Sequence, residues 1–162
     1  MVFMLTLLSS FALAAKPEPP RETIEAADIM RVLQEEGHEP ELKADSAGDP
    51  MIIATDEGTR YIVMFYDCTL HRACKALQLR VYYDVSFLFP LAPLNEWNRT
   101  KLYGRAYLDQ DGDPTLETLV RLHGGVTLAH LRDEHAWFLR GVSEFAALVT
   151  EHTPIAPETA AP

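Results

Sequence analysis

Apolar and polar positions change their period several times along the chain. Over "RETIEAADIMRVLQEEG" the positions Ile24, Ala27, Met30 or Arg31, and Leu33 recur at the spacing of one helix face. Thr23 stands where an N-cap is expected, and Gly37 supplies a terminator. The period then shortens. "HEPELKADSAGDPMIIATDEGTRYIVMFYD" divides into three strands at two turn signals, Ser46 to Pro50 and Glu57-Gly58. The third of these strands is apolar on both faces, as a central strand is. The next, "KALQLRVYYDV", alternates cleanly. Leu77, Leu79, Val81 and Tyr83 fall on one side, and Gln78, Arg80 and Asp84 on the other.

"PLAPLNEWNRTK" predicts a short helix from Pro93 to Lys101. "LYGRAYLDQ" and "DPTLETLVRLH" predict a second hairpin with Gly112 in its turn, and Gly124-Gly125 breaks the chain after it. "TLAHLRDEHAWFLRGVSEFAALVTEH" predicts a long helix. Leu128, Leu131, His135, Phe138, Val142, Phe145 and Val149 keep three-four spacing along one face. The order is α-β-β-β-β-α-β-β-α. Without regular βαβ alternation it implies an α+β fold with a largely antiparallel sheet.

The ends read differently. Residues 1–15, "MVFMLTLLSSFALAA", are uncharged and end in Ala12-Leu13-Ala14, an A-x-A cleavage pattern. They predict a secretory signal peptide cleaved after Ala14 or Ala15, although no Lys or Arg precedes the apolar run. The segment is too short to span a bilayer comfortably; its alternative reading is a buried N-terminal helix. A periplasmic or secreted protein follows, with no stable membrane insertion after cleavage. Residues 16–22 read as a Pro-rich linker, 23–152 as the folded domain and 153–162 as a disordered tail.

The 162 residues suffice for one domain with a core. A net charge of −10 argues against nucleic acid as partner, because phosphate binding needs a basic face. It argues equally against adsorption to anionic lipid.

Candidate chemistry is sparse. In an oxidising compartment Cys68 and Cys74 predict a disulfide, placed where two paired strands meet. The rival is a zinc site in which His71 completes a Cys-x-x-His-x-x-Cys set. "AYLDQDGDPTLE" places Asp109, Asp111 and Asp113 at alternate positions. A calcium loop counted from Asp109 needs Gly at position 6 and Glu at 12, where this chain has Pro114 and Val120. Gly112 and the Asp side chains suit a hairpin turn instead. There is no G-x-S-x-G, P-loop, G-x-G-x-x-G or H-E-x-x-H. His135 falls on an apolar helix face and reads as a core histidine, and His38 sits in a turn. No two histidines have a metal-binding spacing.

"LNEWNRTKLYGRAYLDQDGDPTLE" resembles the YbjN family of bacterial proteins. The motif positions are Leu94, Asn95, Trp97, Asn98, Ala106, Leu108, Asp109, Asp111, Gly112, Asp113 and Pro114. The run Cys68 to Leu79 looks like the exported branch of that family. The likeness covers Thr23 to Thr150. It implies a fold similar to type III secretion chaperones, a role in sensory transduction regulation, and no cofactor; it allows a homodimer. The expected function is an exported, non-enzymatic binding or adaptor protein that holds an unidentified protein or peptide on its sheet face or a free strand edge. Trp97, Asn98 and Tyr107 read either as a tertiary clamp or as part of a binding surface. The alternative is a small periplasmic hydrolase or metal-dependent enzyme with its site near Cys68, His71 and Cys74.

Overall fold

The structure, a computed structural model, describes residues 18–154. The expected signal peptide and nearly all of the expected tail lie outside the described residues. The elements are α1 (Ala26–Glu35), β1 (Glu41–Ala44), β2 (Pro50–Asp56), β3 (Thr59–Tyr66), β4 (Ala76–Tyr82), α2 (Leu91–Thr100), β5 (Arg105–Leu108), β6 (Pro114–Arg121) and α3 (Leu128–Glu151). This is the expected α+β order. The strands form one six-stranded antiparallel sheet, β1-β2-β3-β4-β6-β5. The first four follow one another as a meander, while β6 inserts between β4 and β5.

All three helices cover the same face. Ile52, Val63, Leu77, Leu79 and Leu116 on the strands pack beneath Leu33, Trp97, Phe138, Val142 and Phe145. The expected face of α3 is buried throughout, from Leu128 to Val149, and Thr127 caps the helix by accepting from His130 N–H at 3.1 Å. β3 is central, as its two-sided apolar pattern implied.

Two expectations at the N-terminus are corrected. α1 starts after Glu25, with no side-chain cap, so Thr23 is not the N-cap. Ile24 is not on the helix: its N–H and C=O bond the Cys74 backbone at 2.9 and 3.0 Å, and extended backbone at 24 excludes a helix start at 23. The Pro-rich stretch is also tied down. Arg21 exchanges backbone bonds with Val126 at 2.7 and 3.0 Å, and its guanidinium pairs with Asp28 at 2.9 Å. The far end of α1 behaves as its glycine predicts. Gly37 takes φ +91°, and the His38→Leu33 and Gly37→Gln34 bonds satisfy the last carbonyls.

A further glycine decides how closely the layers approach. A Cβ built at Gly141, inside α3, would stand 2.6 Å from the Cβ of Tyr103. Gly→Ala in an ordinary helix interior gains about 1 kcal/mol. Overpacking a fitted contact costs about 1–3 kcal/mol, and here the clash is with the base of a side chain rather than a flexible tip. Gly141→Ala is therefore expected to lower the urea midpoint of unfolding; a raised midpoint would mean that α3 shifts away at no cost.

Candidate functional site

Among the described residues every helix lies on one side, and the other face of the sheet is uncovered. Register fixes what it presents. One row crosses all six strands as Glu41, Ile53, Ile62, Arg80, Glu117 and Arg105. Beside it run Lys43, Met51, Met64, Gln78 and Leu119. Met51, Ile53, Ile62 and Met64 are half-buried by one another, and Leu119 is 59% exposed. Tyr66 and Tyr82 are also exposed on this side. An apolar strip on β2 and β3, with Leu119 beyond Gln78 on β6, thus grades into a polar end.

That polar end is internally paired. Glu117 is buried, its carboxylate accepting from Arg105 and, at 2.7 Å, from the Tyr107 hydroxyl. The Arg105 guanidinium lies 5.4 Å from the centroid of the Tyr107 ring. Arg80 donates to Asp109 at 3.3 Å, while its buried Nε has no partner among the described residues. Desolvation, and then the bond to Glu117, push the Tyr107 phenol up to about 12.

The motif residues divide between the two sides. Trp97 is buried at 2% exposure, edge-on to Phe145 at 5.2 Å, with its indole N–H donating to Gly104 C=O at 3.3 Å. A Cβ at Gly104 would collide with the Glu117 carbonyl, so the chain passes here only as glycine at φ +137°. Asn98 donates to Ala106 C=O and accepts from Ala106 N–H, both at 2.8 Å, so its amide replaces a strand partner on β5. Leu94 is buried in α2 beside Trp97, and Asn95 is exposed. Tyr107 points to the uncovered face. Trp97, Asn98 and Tyr107 therefore do not share one surface.

The acidic turn is spent on itself. Asp109 Oδ1 accepts from Asp111 and Asp113 N–H at 3.0 Å each, and Gly112 N–H donates to Asp109 C=O at 3.2 Å. Asp113 reaches out of the turn to accept from Val85 N–H at 3.0 Å. Leu108 and Pro114 pair at the base of this hairpin.

Cys68 and Cys74 are joined as a disulfide with Cα atoms 3.9 Å apart. The Cys-x-x-His-x-x-Cys zinc set is thereby corrected, since bonded sulfurs offer no thiolate. His71 lies in the loop, half exposed, and bonds Asp49 at 2.9 Å. The alternative catalytic site seeded on these three residues loses its ligands.

One group was not anticipated. His135 contacts Tyr61 Oη through Nε2 and Glu36 through Nδ1, each at 2.8 Å, and His38 stands edge-on to it with ring centroids 5.2 Å apart. Burial lowers the His135 pKa against the opposing pull of Glu36, so the ring is held neutral. Burial also raises the Tyr61 phenol, with the nearby Asp56 and Glu36 charges adding to it. The expected core histidine is in place, but with polar neighbours from distant segments. Only its apolar spacing was visible in the sequence; no local spacing joins residues 36, 38, 61 and 135.

Asn98→Ala removes both bonds to Ala106 at a partly buried site and is expected to cost about 1–3 kcal/mol, with amide exchange accelerated first in β5. Unchanged exchange there would show that α2 alone holds the strand. Tyr107 supplies a pH signature. A phenol that keeps its proton to about 12 in the folded state, against about 10 when unfolded, contributes stability that is complete below pH 10 and lost toward pH 12. Tyr107→Phe is expected to flatten that limb in thermal unfolding, and an unaltered limb would contradict the pairing with Glu117.

The family model of YbjN, described as "Putative bacterial sensory transduction regulator", matches residues 25–151. No curated protein and no solved structure matches the chain. The match takes in every described strand and helix, from the first turn of α1 to the end of α3, and with it the Trp97 clamp and the acidic turn. The chain belongs to the YbjN family.

Proposed function

We propose that this protein is an exported, non-enzymatic adaptor of the YbjN family that holds a protein or peptide partner in the periplasm on its uncovered sheet face. The observation that carries this reading is the one-sided sheet. Among the described residues three helices cover one face, and the other presents Met51, Ile53, Ile62 and Met64 side by side on β2 and β3, with Leu119 across Gln78 on β6. Contiguous apolar surface rimmed by polar groups is what a protein interface requires. Methionines adapt to the shape of what they meet. Arg80, its side chain 27% exposed at the boundary of the strip, suits a carbonyl or carboxylate of the partner. An apolar segment with an acidic group is the partner chemistry that fits.

The charged groups on this face support binding rather than turnover. Arg105 neutralises Glu117 and Tyr107 donates a hydrogen bond to it, and a base already paired in this way is a poor proton acceptor. Export is supported by the apolar leader and by the Cys68–Cys74 bond, which persists in an oxidising compartment.

A photo-crosslinking residue at position 62, compared with one at Asp133 on the outer side of α3, tests the reading in cells. A discrete adduct from position 62 alone, lost on Leu119→Lys, is the expected result. An adduct of twice the monomer mass would identify a second copy of the chain as the occupant. Equal labelling from both positions, or none from position 62, overturns it.

A further inference from the structure

From the geometry we infer a binding site for a divalent transition metal, with zinc as the occupant, formed by Glu36, His38 and His135. One ligand atom from each of these residues lies within 4.8 Å of the others. Ligand atoms around a tetrahedral zinc stand roughly 3.4 Å apart, so loading asks the widest pair to close by at most about 1.4 Å. Two imidazoles and one carboxylate are a borderline donor set, matched to zinc and its neighbours rather than to calcium or magnesium.

The surrounding hydrogen bonds are arranged as such a site needs. His38 Nδ1 is 3.2 Å from the Thr55 carbonyl, to which it donates, and this tautomer leaves the Nε2 lone pair free. Without metal, His135 donates from Nδ1 to Glu36 and accepts the Tyr61 hydroxyl proton at Nε2. When Nδ1 binds a metal, the ring keeps one proton, now on Nε2, which donates to Tyr61 Oη. The phenol oxygen thus orients the ligand from behind, as outer hydrogen bonds do at metal-binding histidines. The neutral state in which burial holds His135 is also the ligating one.

Access and charge agree. His135 is buried, the His38 side chain is 10% exposed, and the Glu36 side chain, at 26%, forms the opening to solvent. Asp56 approaches His38 at 3.9 Å and adds negative charge. Arg132 is the nearby cation, 3.5 Å from Glu36 Oε1, but its other terminal nitrogen is engaged by Glu35. The three ligands come from the end of α1, the turn after it and the middle of α3. Metal there would fasten α1 to α3 over Tyr61 of β3. The apolar cavity beside His135, about 20 Å³, has room for no more than a water.

The test uses the untagged mature protein with its disulfide intact, titrated with Zn²⁺ by calorimetry and with Co²⁺ by visible absorption. One equivalent is expected to bind, with cobalt bands of a low-coordinate nitrogen and oxygen site and a zinc-dependent rise in Tm. His38→Ala, at the more accessible of the two histidines, is expected to weaken binding on the order of 100-fold while the metal-free Tm changes little. Tyr61→Phe is expected to weaken it about 10-fold without removing a ligand. His71→Ala and His130→Ala, at exposed histidines, should leave it unchanged. Absence of stoichiometric binding overturns the inference, as does binding that survives His38→Ala or is lost on His71→Ala or His130→Ala. The outcome is independent of whether the sheet face holds a partner.

Discussion

The pairing of β4 with β6 is the constraint on which the other contacts depend. It joins a four-stranded meander to a separate hairpin across the long excursion that contains α2, with seven residue pairs in register from Ala76–Arg121 to Tyr82–Thr115. Closing so long a loop costs entropy that local contacts must offset. The acidic turn supplies some of those contacts. Tyr83 N–H donates to Pro114 C=O at 3.1 Å, and Asp113 holds Val85 N–H at 3.0 Å. The DGDP sequence therefore shapes its own hairpin and also pins that hairpin to the end of β4. A one-residue slip would exchange Leu116 and Val120 for Glu117 and Leu119 beneath α3 and invert the sheet.

Much of this fold was legible along the chain because period and punctuation are local. The β2–β3 turn was visible in Glu57-Gly58, which take φ +45° and +84° as a two-residue hairpin requires. The α3 face was visible in its spacing. The N-terminal boundary was misread because Thr23 and Ile24 satisfy local helix rules, whereas the strand-like bonds that claim Ile24 come from Cys74, far along the chain. The insertion of β6 between β4 and β5 was hidden for the same reason: consecutive strands pair more often than not, and nothing within either strand announces the exception. The Glu36, His38 and His135 group is the extreme case. Each residue has a bland local reading, and only the packing of α1 against α3 brings them together.

The two clamps at the β5 edge share a physical logic. Trp97 and Asn98 are adjacent on α2 yet act differently: one fills the core against Phe145, and the other completes the backbone pairing of β5. A strand of four residues with one strand neighbour is weak by itself. Covering it with a side-chain amide removes part of an open edge on which another chain could pair. The opposite edge, β1, has no such cover among the described residues; there all four residues are exposed, with Lys43 and Glu41 charged.

The burial of Glu117 explains why the apolar strip stops where it does. A carboxylate at 5% exposure on an uncovered face would be costly unless its neighbours supplied hydrogen bonds. Arg105 and Tyr107 do so from β5, and their own stacked side chains provide the shielding. The strip of Ile53, Ile62 and Met64 ends at Arg80, where the internally neutralised cluster begins. Apolar surface without this boundary would favour indiscriminate association. A polar stop of fixed geometry limits how far an incoming segment can slide across the sheet.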